Sequence, residues 1–343
     1  MFKNVMVYRI GQGWRPSLDD AQRALEGARF TECGATQDKS VGWTEPRGQA
    51  HGPLIESIGG QWIAKLMIES KAVPASVVRR QLDAQVAAIE AATGRKPGKK
   101  EKRGLQDEIL LSLLPQAFAR QASVWVWFDW QRQRLVLNAG SQGKADEAVS
   151  ALLKALPGLS LGLLQTATSP QAAMAEWLLA PSADDWPAEL SVERECTLKA
   201  TGEDAASIRY VRHPLANDEV RKHVTEGKLP TQLALSWDGR VGFVLTETLQ
   251  LKKIQYMDGV MDSAGAPQDE DRFDADVALS TGLLSPLLDQ LIEALGGEQA
   301  WGEGSSAAPS SAATSPAVTA ATPAEPHTAR PSEASALADD PPF

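Results

Sequence analysis

The chain has 343 residues, 43% of them hydrophobic, and a formal net charge of −10. That length suits about two domains with an ample core, and no apolar run approaches the ~20 residues of a membrane span. The acidic balance argues against a generic nucleic-acid binder, since neutralising phosphates needs Lys and Arg, unless the basic residues are gathered on one surface.

The start MFKNVMVYRI lacks the basic, apolar and small-residue regions of a signal peptide. Cys33 and Cys196 lie far apart without metal-ligand spacing, so they are expected to be reduced thiols in a cytoplasmic protein. FKNVMVYRI (2–10) and QWIAKLMIES (61–70) are expected to be strands. A helix is expected between Pro74 and Gly94, because Val78, Leu82, Val86 and Ile89 share one face. GRKPGKKEKR (94–103) follows, with six basic residues around one Glu. Its Gly and Pro mark it as a loop.

GLQDEILLSLL (104–114) reads as a second helix that stops or kinks at Pro115, with PQAFARQ (115–121) as a further short turn. SVWVWFDW (123–130) and RLVLNA (134–139) form a hairpin pair, and ADEAVSALLKAL (145–156) is helical. LALSW (233–237) and RVGFVL (240–245) flank Asp238-Gly239, the signature of a type I′ hairpin turn. LQLKKIQY (249–256) is a further strand. Leu284, Leu288, Leu291 and Leu295 form the stripe of a last helix that Gly296 stops. The class is α+β, mixed sheets and helices. A division near 160–190 gives an N-terminal region 1–170 and a C-terminal region 171–299.

Beyond about residue 300 the composition turns to Ala, Ser, Thr and Pro, as in SSAAPSSAATSPAVTAATPAEP, which cannot bury enough apolar area to order itself. Residues 300–343 are expected to be disordered. They hold one basic residue and five acids, a net of −4, which leaves −6 on residues 1–299.

The enzymatic inventory is poor. Four histidines show no paired-ligand spacing, and the chain contains no GxSxG, GxxxxGK[ST] or helix-opening GxGxxG. QDEDRFDADVAL, with Asp269, Glu270, Asp271, Asp274 and Asp276, is a carboxylate set of the kind that holds magnesium for phosphodiester hydrolysis. Its bland alternative is a solvated acidic loop before a helix. Trp125, Trp127, Phe128 and Trp130 have ring faces on which bases stack. Their alternation over two faces equally fits a strand buried on both sides, and core packing is the expectation. Arg79, Arg80, Arg120, Arg209, Arg212, Arg221 and Lys222 are scattered, and spacing alone does not gather them.

Five collinear segments add a resemblance: FKNVMVYRI, VGW (41–43), ILLSLLPQAFAR (109–120), TQLALSW (231–237) and RFDADVALSTGLL…LIEALGGE (272–298). Together they resemble the bacterial recombination-associated RdgC family. That resemblance implies a crescent-shaped subunit in a ring-shaped homodimer. It also implies a nucleoid-associated protein, neither catalytic nor cofactor-dependent, that encircles duplex DNA without sequence preference and restrains the RecA recombinase. Single-stranded DNA is carried as a second ligand form. A ring acidic outside and basic inside reconciles the net charge with DNA binding.

The residues expected at the DNA are Arg79, Arg80, Lys96, Lys99, Lys100, Lys102, Arg103, Arg120 and Arg212, the last at a basic family position. The phenylalanine of the family's LLPxAFxR segment, Phe118 here, is expected at a dimer contact. Burial of Phe118 in its own subunit is the alternative. Two places earlier this chain has Gln116 where the family often has a basic residue. The competing function is a magnesium-dependent nuclease using the 269–276 carboxylates. The last residues, ALADDPPF, are similar to the C-terminal tip of bacterial single-stranded-DNA-binding protein. That likeness implies a tail in which Asp339, Asp340, Pro341, Pro342 and Phe343 dock onto the partners of that tip.

Overall fold

In a computed structural model of the chain, described over residues 1–202, 206–257 and 269–300, two antiparallel sheets share a single long helix. The strands of the first sheet are β1 (Met6–Ile10), β2 (Lys39–Thr44), β3 (Ile55–Ile58), β4 (Gln61–Lys71), β5 (Ala119–Asp129), β6 (Arg134–Leu137) and β7 (Leu161–Leu163). They run in the order β2-β4-β5-β6-β1-β7, and β3 shares the outer edge of β4 with β2. Helices α1 (Leu18–Glu26) and α4 (Gln142–Ala155) belong with this sheet, while α2 (Ala75–Thr93) and α3 (Lys99–Leu113) are inserted between β4 and β5. The second sheet has the order β12-β11-β10-β8-β9. Its strands are β8 (Leu190–Ala200), β9 (Ser207–Val211), β10 (Lys228–Trp237), β11 (Val241–Thr246) and β12 (Leu251–Tyr256). Helices α5 (Pro170–Leu179), α6 (Asp218–Thr225) and α7 (Asp269–Ala294) complete the chain.

Local chemistry starts these helices. The Ser17 hydroxyl accepts the Asp20 N–H at 3.1 Å ahead of α1, and Asn217 does the same for Val220 at 2.9 Å ahead of α6. Ser169 caps α5, with Pro170 at the first helical position. The Asp238-Gly239 turn has φ of 49° and 60°, the positive pair that a type I′ hairpin demands.

The first sheet is buried on both faces. Val7, Ile63, Trp127 and Val136 lie in one apolar cluster, and Met6, Ala64, Leu66, Val126, Phe128 and Leu135 in the other. Trp127 and Phe128 are therefore core residues on opposite faces, as alternation along a two-sided strand requires. Ala21 and Leu25 of α1, with Ala145, Ala148 and Leu152 of α4, cover the second face. The first face belongs to the same cluster as Leu198, Leu233, Leu235 and Phe243 of the second sheet, and as Leu284, Leu288, Leu291 and Leu295 near the end of α7.

Polar contacts reinforce that seam. Ser285 of α7 donates to Asp129 at 2.7 Å, Asp289 accepts from Arg132 and Arg134, and Gln290 accepts the indole N–H of Trp237. The residues just before β1 also pair with the edge of β12: Val5 and Leu251 exchange backbone hydrogen bonds at 2.7 and 3.0 Å.

Four expectations are corrected. The strand at 2–10 begins at Met6, although Lys3 and Val5 hydrogen-bond to β12. The loop at 94–103 covers only 94–98: Lys99–Arg103 open α3, because Gly98 takes the N-cap position and Lys, Glu and Arg are good helix formers. The turn at 115–121 is shorter, since Ala119–Gln121 already pair with Glu69–Lys71 of β4. The acids at 269–276 lie on α7 rather than in a loop before it. The tail and its tip lie outside the described residues. Among the described residues no helix is long and apolar enough to cross a membrane.

Leu291 is fully buried within the shared cluster. Leu291→Ala is expected to cost about 3 kcal/mol and to lower the stability of both sheets in one transition. Urea unfolding followed by far-ultraviolet circular dichroism and tryptophan fluorescence checks this. Two separated transitions, or a cost below about 1 kcal/mol, would contradict the shared core.

Candidate nucleic-acid interface

Helices α2 and α3 form an antiparallel arm rooted where Lys71 of β4 pairs with Ala119 of β5. Only Val78 of α2 and Ile109 of α3 are buried; Leu82, Val86 and Ile89, the rest of the predicted stripe, are half-buried. An arm with so little core leaves most of its side chains in solvent. Gly94, with φ 72°, ends α2 in the left-handed conformation, and its N–H bonds the Glu90 carbonyl at 2.8 Å.

The predicted basic residues divide into three groups. Lys96, Lys99, Lys100, Lys102 and Arg103 gather at the far end of the arm, all exposed. Arg79 and Arg80, also exposed, stand near its root, with Arg120 on β5 beside it. Between Arg80 and the end of α2 the helix rises about 20 Å. Arg212 lies outside the arm, just past β9, exposed and at φ 55°. An L-residue there is held against its preference, a feature concentrated at functional positions.

Arg95 is tied to Glu101 at 2.9 Å and Lys96 to Glu90 at 3.7 Å. Arg79, Arg80, Lys99, Lys100, Lys102, Arg103 and Arg120 make no ion pair among the described residues. The positions of four of them are electrostatically unfavourable. The N-terminus of a helix carries about half a positive charge, and α3 opens with Lys99, Lys100, Lys102 and Arg103 against one acid, Glu101, with no side-chain cap on Gly98. An anion at this end relieves both the dipole and the crowding of cations.

Phe118 follows the 3₁₀ turn Leu114–Gln116 and is 94% exposed, so it contributes nothing to the core of the chain. Leu111 nearby on α3 is 51% exposed. Between the helices, at the root, a cavity of about 460 Å³ is lined by Val73, Val78, Leu82 and Leu110, with Arg79 and Asp107 also on its wall.

The acidic set is described only in part. Asp274 is engaged by Arg47, and the side chains of Asp269, Glu270 and Asp271 lie outside the described residues. Among the described residues no three His, Cys, Asp or Glu side chains form a group able to hold a metal ion. Burial pushes the Cys196 thiol up to about 12. Burial and the neighbouring Glu69 raise Cys33 as well, so neither thiol is an activated nucleophile. Sequence reasoning missed Lys199 and Lys252, which strand register brings to one cleft.

The two sheets and the basic arm thus define a mixed α+β protein with exposed cations on the arm and an unburied aromatic side chain. The chain matches, over residues 1–298, the family described as "Putative exonuclease, RdgC". The "Recombination-associated protein RdgC" of Dechloromonas aromatica (strain RCB) is 40% identical over 302 residues, 87% of this chain and 98% of that protein. Proteins of the same name from Janthinobacterium sp. (strain Marseille) and Bordetella pertussis (strain Tohama I) are 39% and 37% identical, each over 87% of this chain and nearly all of their own length. The chain belongs to the RdgC family, as the five collinear segments led us to expect.

Lys99→Glu replaces a cation at the positive end of α3 with an anion. It is expected to raise stability by about 0.5 kcal/mol at low salt, measured by thermal or urea unfolding. A loss of stability would show that Lys99 has a structural partner and contradict its reading as a free cation.

Proposed function

We propose that this protein is a non-catalytic, sequence-independent DNA-binding protein that acts on recombination by closing, as a homodimer, around duplex DNA and restraining RecA. The observation that carries the reading is the separation of charge. Residues 72–118 hold eight basic and five acidic side chains, net +3, while the rest of residues 1–299 carries −9. The unpaired cations of the arm meet phosphates, and phosphate contacts give affinity without reading bases. No base-reading helix is needed, and an acidic remainder keeps the DNA on one surface. The names of the relatives connect the family with recombination.

Two-fold symmetry supplies closure. A patch that carries both a protruding ring and an apolar hollow is self-complementary, because each partner offers the knob and the hole. Phe118 is the knob and the α2–α3 cavity the hole of one such contact.

The nuclease reading keeps one observation in its favour, the wording of the family description. Supercoiled plasmid incubated with the protein and magnesium is expected to shift in a gel without nicking. Cuts that a chelator abolishes would overturn the non-catalytic assignment.

If about six phosphates are neutralised, log affinity for duplex DNA falls against log salt with a slope near −5. A flat dependence, or a consensus emerging from selection, would contradict backbone binding. Phe118→Ala is expected to weaken the dimer by about 2 kcal/mol, roughly thirty-fold, and to cost folding stability less than that. Unfolding and sedimentation equilibrium measured together decide it. A large loss of melting temperature with unchanged dimerisation would return Phe118 to the core.

A further inference from the structure

We propose that the cleft at the seam of the two sheets is a second phosphate site, remote from the arm, that holds the DNA backbone. This inference rests on the DNA-binding function proposed above. The cleft has a volume of about 480 Å³. One wall is the segment Gly140–Gln142 that leads from β6 into α4, and the other is built by the second sheet around Lys199 and Lys252. Sites at such junctions are favoured places for ligands, because two surfaces converge on them.

Strand alternation aims both lysines the same way. Lys199 follows Leu198 on β8, and Lys252 follows Leu251 on β12; both leucines are fully buried in the shared core. The lysines therefore project from the opposite face of the sheet, on strands separated by β10 and β11. Helices α5 and α6 contribute Met174, Trp177, Val220 and Val224 to the core side of the sheet, and the start of α5 reaches the cleft only through Gln171.

The donor set has the chemistry of phosphate recognition. Neither Lys199 nor Lys252 makes an ion pair among the described residues, and Lys252 is half-buried. Thr231, Thr246, Thr248, Gln232 and Gln250 line the space between them. The Thr231 hydroxyl donates to the Thr197 carbonyl at 3.2 Å and the Thr246 and Thr248 hydroxyls bond each other at 3.2 Å, so the two glutamine amides are the neutral donors left for a ligand. One acid, Glu247, stands at the rim, where its carboxylate accepts from Gln171 at 2.9 Å. Two cations on separate strands, with neutral donors between them, fit successive phosphates of a polymer better than a single small anion. Strand register together with the closure of one sheet against the other produces this cleft, whose walls come from residues between Gly140 and Lys252.

The test compares the full-length protein, the cleft variant Lys199→Glu/Lys252→Glu and the arm variant Lys99→Glu/Lys100→Glu on one linear duplex over a salt series. The cleft variant is expected to melt like the wild type, to bind about ten-fold or more weakly at 0.1 M salt, and to lose about 2 from the salt slope. If the wild type and arm variant behave as DNA binders and the cleft variant keeps the wild-type slope, the cleft assignment falls alone. If the wild type does not bind duplex DNA, the proposed function falls and takes this inference with it. A mononucleotide that competes at micromolar concentration, and loses that competition in the cleft variant, would reassign the site to a free phosphate compound and overturn the backbone role.

Discussion

A single helix buried between two sheets is the constraint on which this fold depends. Near its end, α7 presents leucines to a cluster containing the inner faces of both sheets. Polar contacts through Ser285, Asp289 and Gln290 fix its rotation. Arg134, 7% exposed, would be an uncompensated buried charge without Asp289. Because this one element seals both sheets, residues far apart in sequence are held in a fixed relation. In the function proposed above, that rigidity would let the cations of the second sheet and the root of the arm serve one extended ligand.

The arm follows the opposite logic. With one buried residue on each of its helices, it adds little to stability and is free to carry charge that a core element does not tolerate. Its cations are placed where the helix dipole opposes them, so the local sequence costs stability in the free protein and regains it against an anion. Such local frustration is the expected mark of a binding surface. Phe118 shows the same tension in apolar form, since a fully solvated ring gains nothing until another surface covers it.

Much of this was legible in the residues. The α2 helix, the Asp238-Gly239 turn, the two-faced tryptophan strand and the leucine stripe of α7 follow from periodicity and turn chemistry. The family followed from five collinear segments that no single motif identifies. The opening of α3 was misread because Gly98 and Pro97 suggest a loop, while helix formers follow directly and outweigh them. Exposure of Phe118 was open, since Ala117 and Ala119 flank it equally in a core or at an interface. The cleft of Lys199 and Lys252 has no sequence signal at all. It arises from the pairing of strands and the closure of one sheet against the other, both non-local.

Encirclement of duplex DNA is the central claim, and topology tests it most directly. The dissociation half-life of the protein would be measured on one linear fragment, with both ends free and with both ends blocked by a bulky bound protein, after a competitor is added. A closed dimer leaves by sliding off an end, so blocking the ends is expected to prolong retention about ten-fold or more, the scale of a step that must open the interface. Equal half-lives on free and blocked ends would show that the protein sits on one side of the duplex, and would contradict the account.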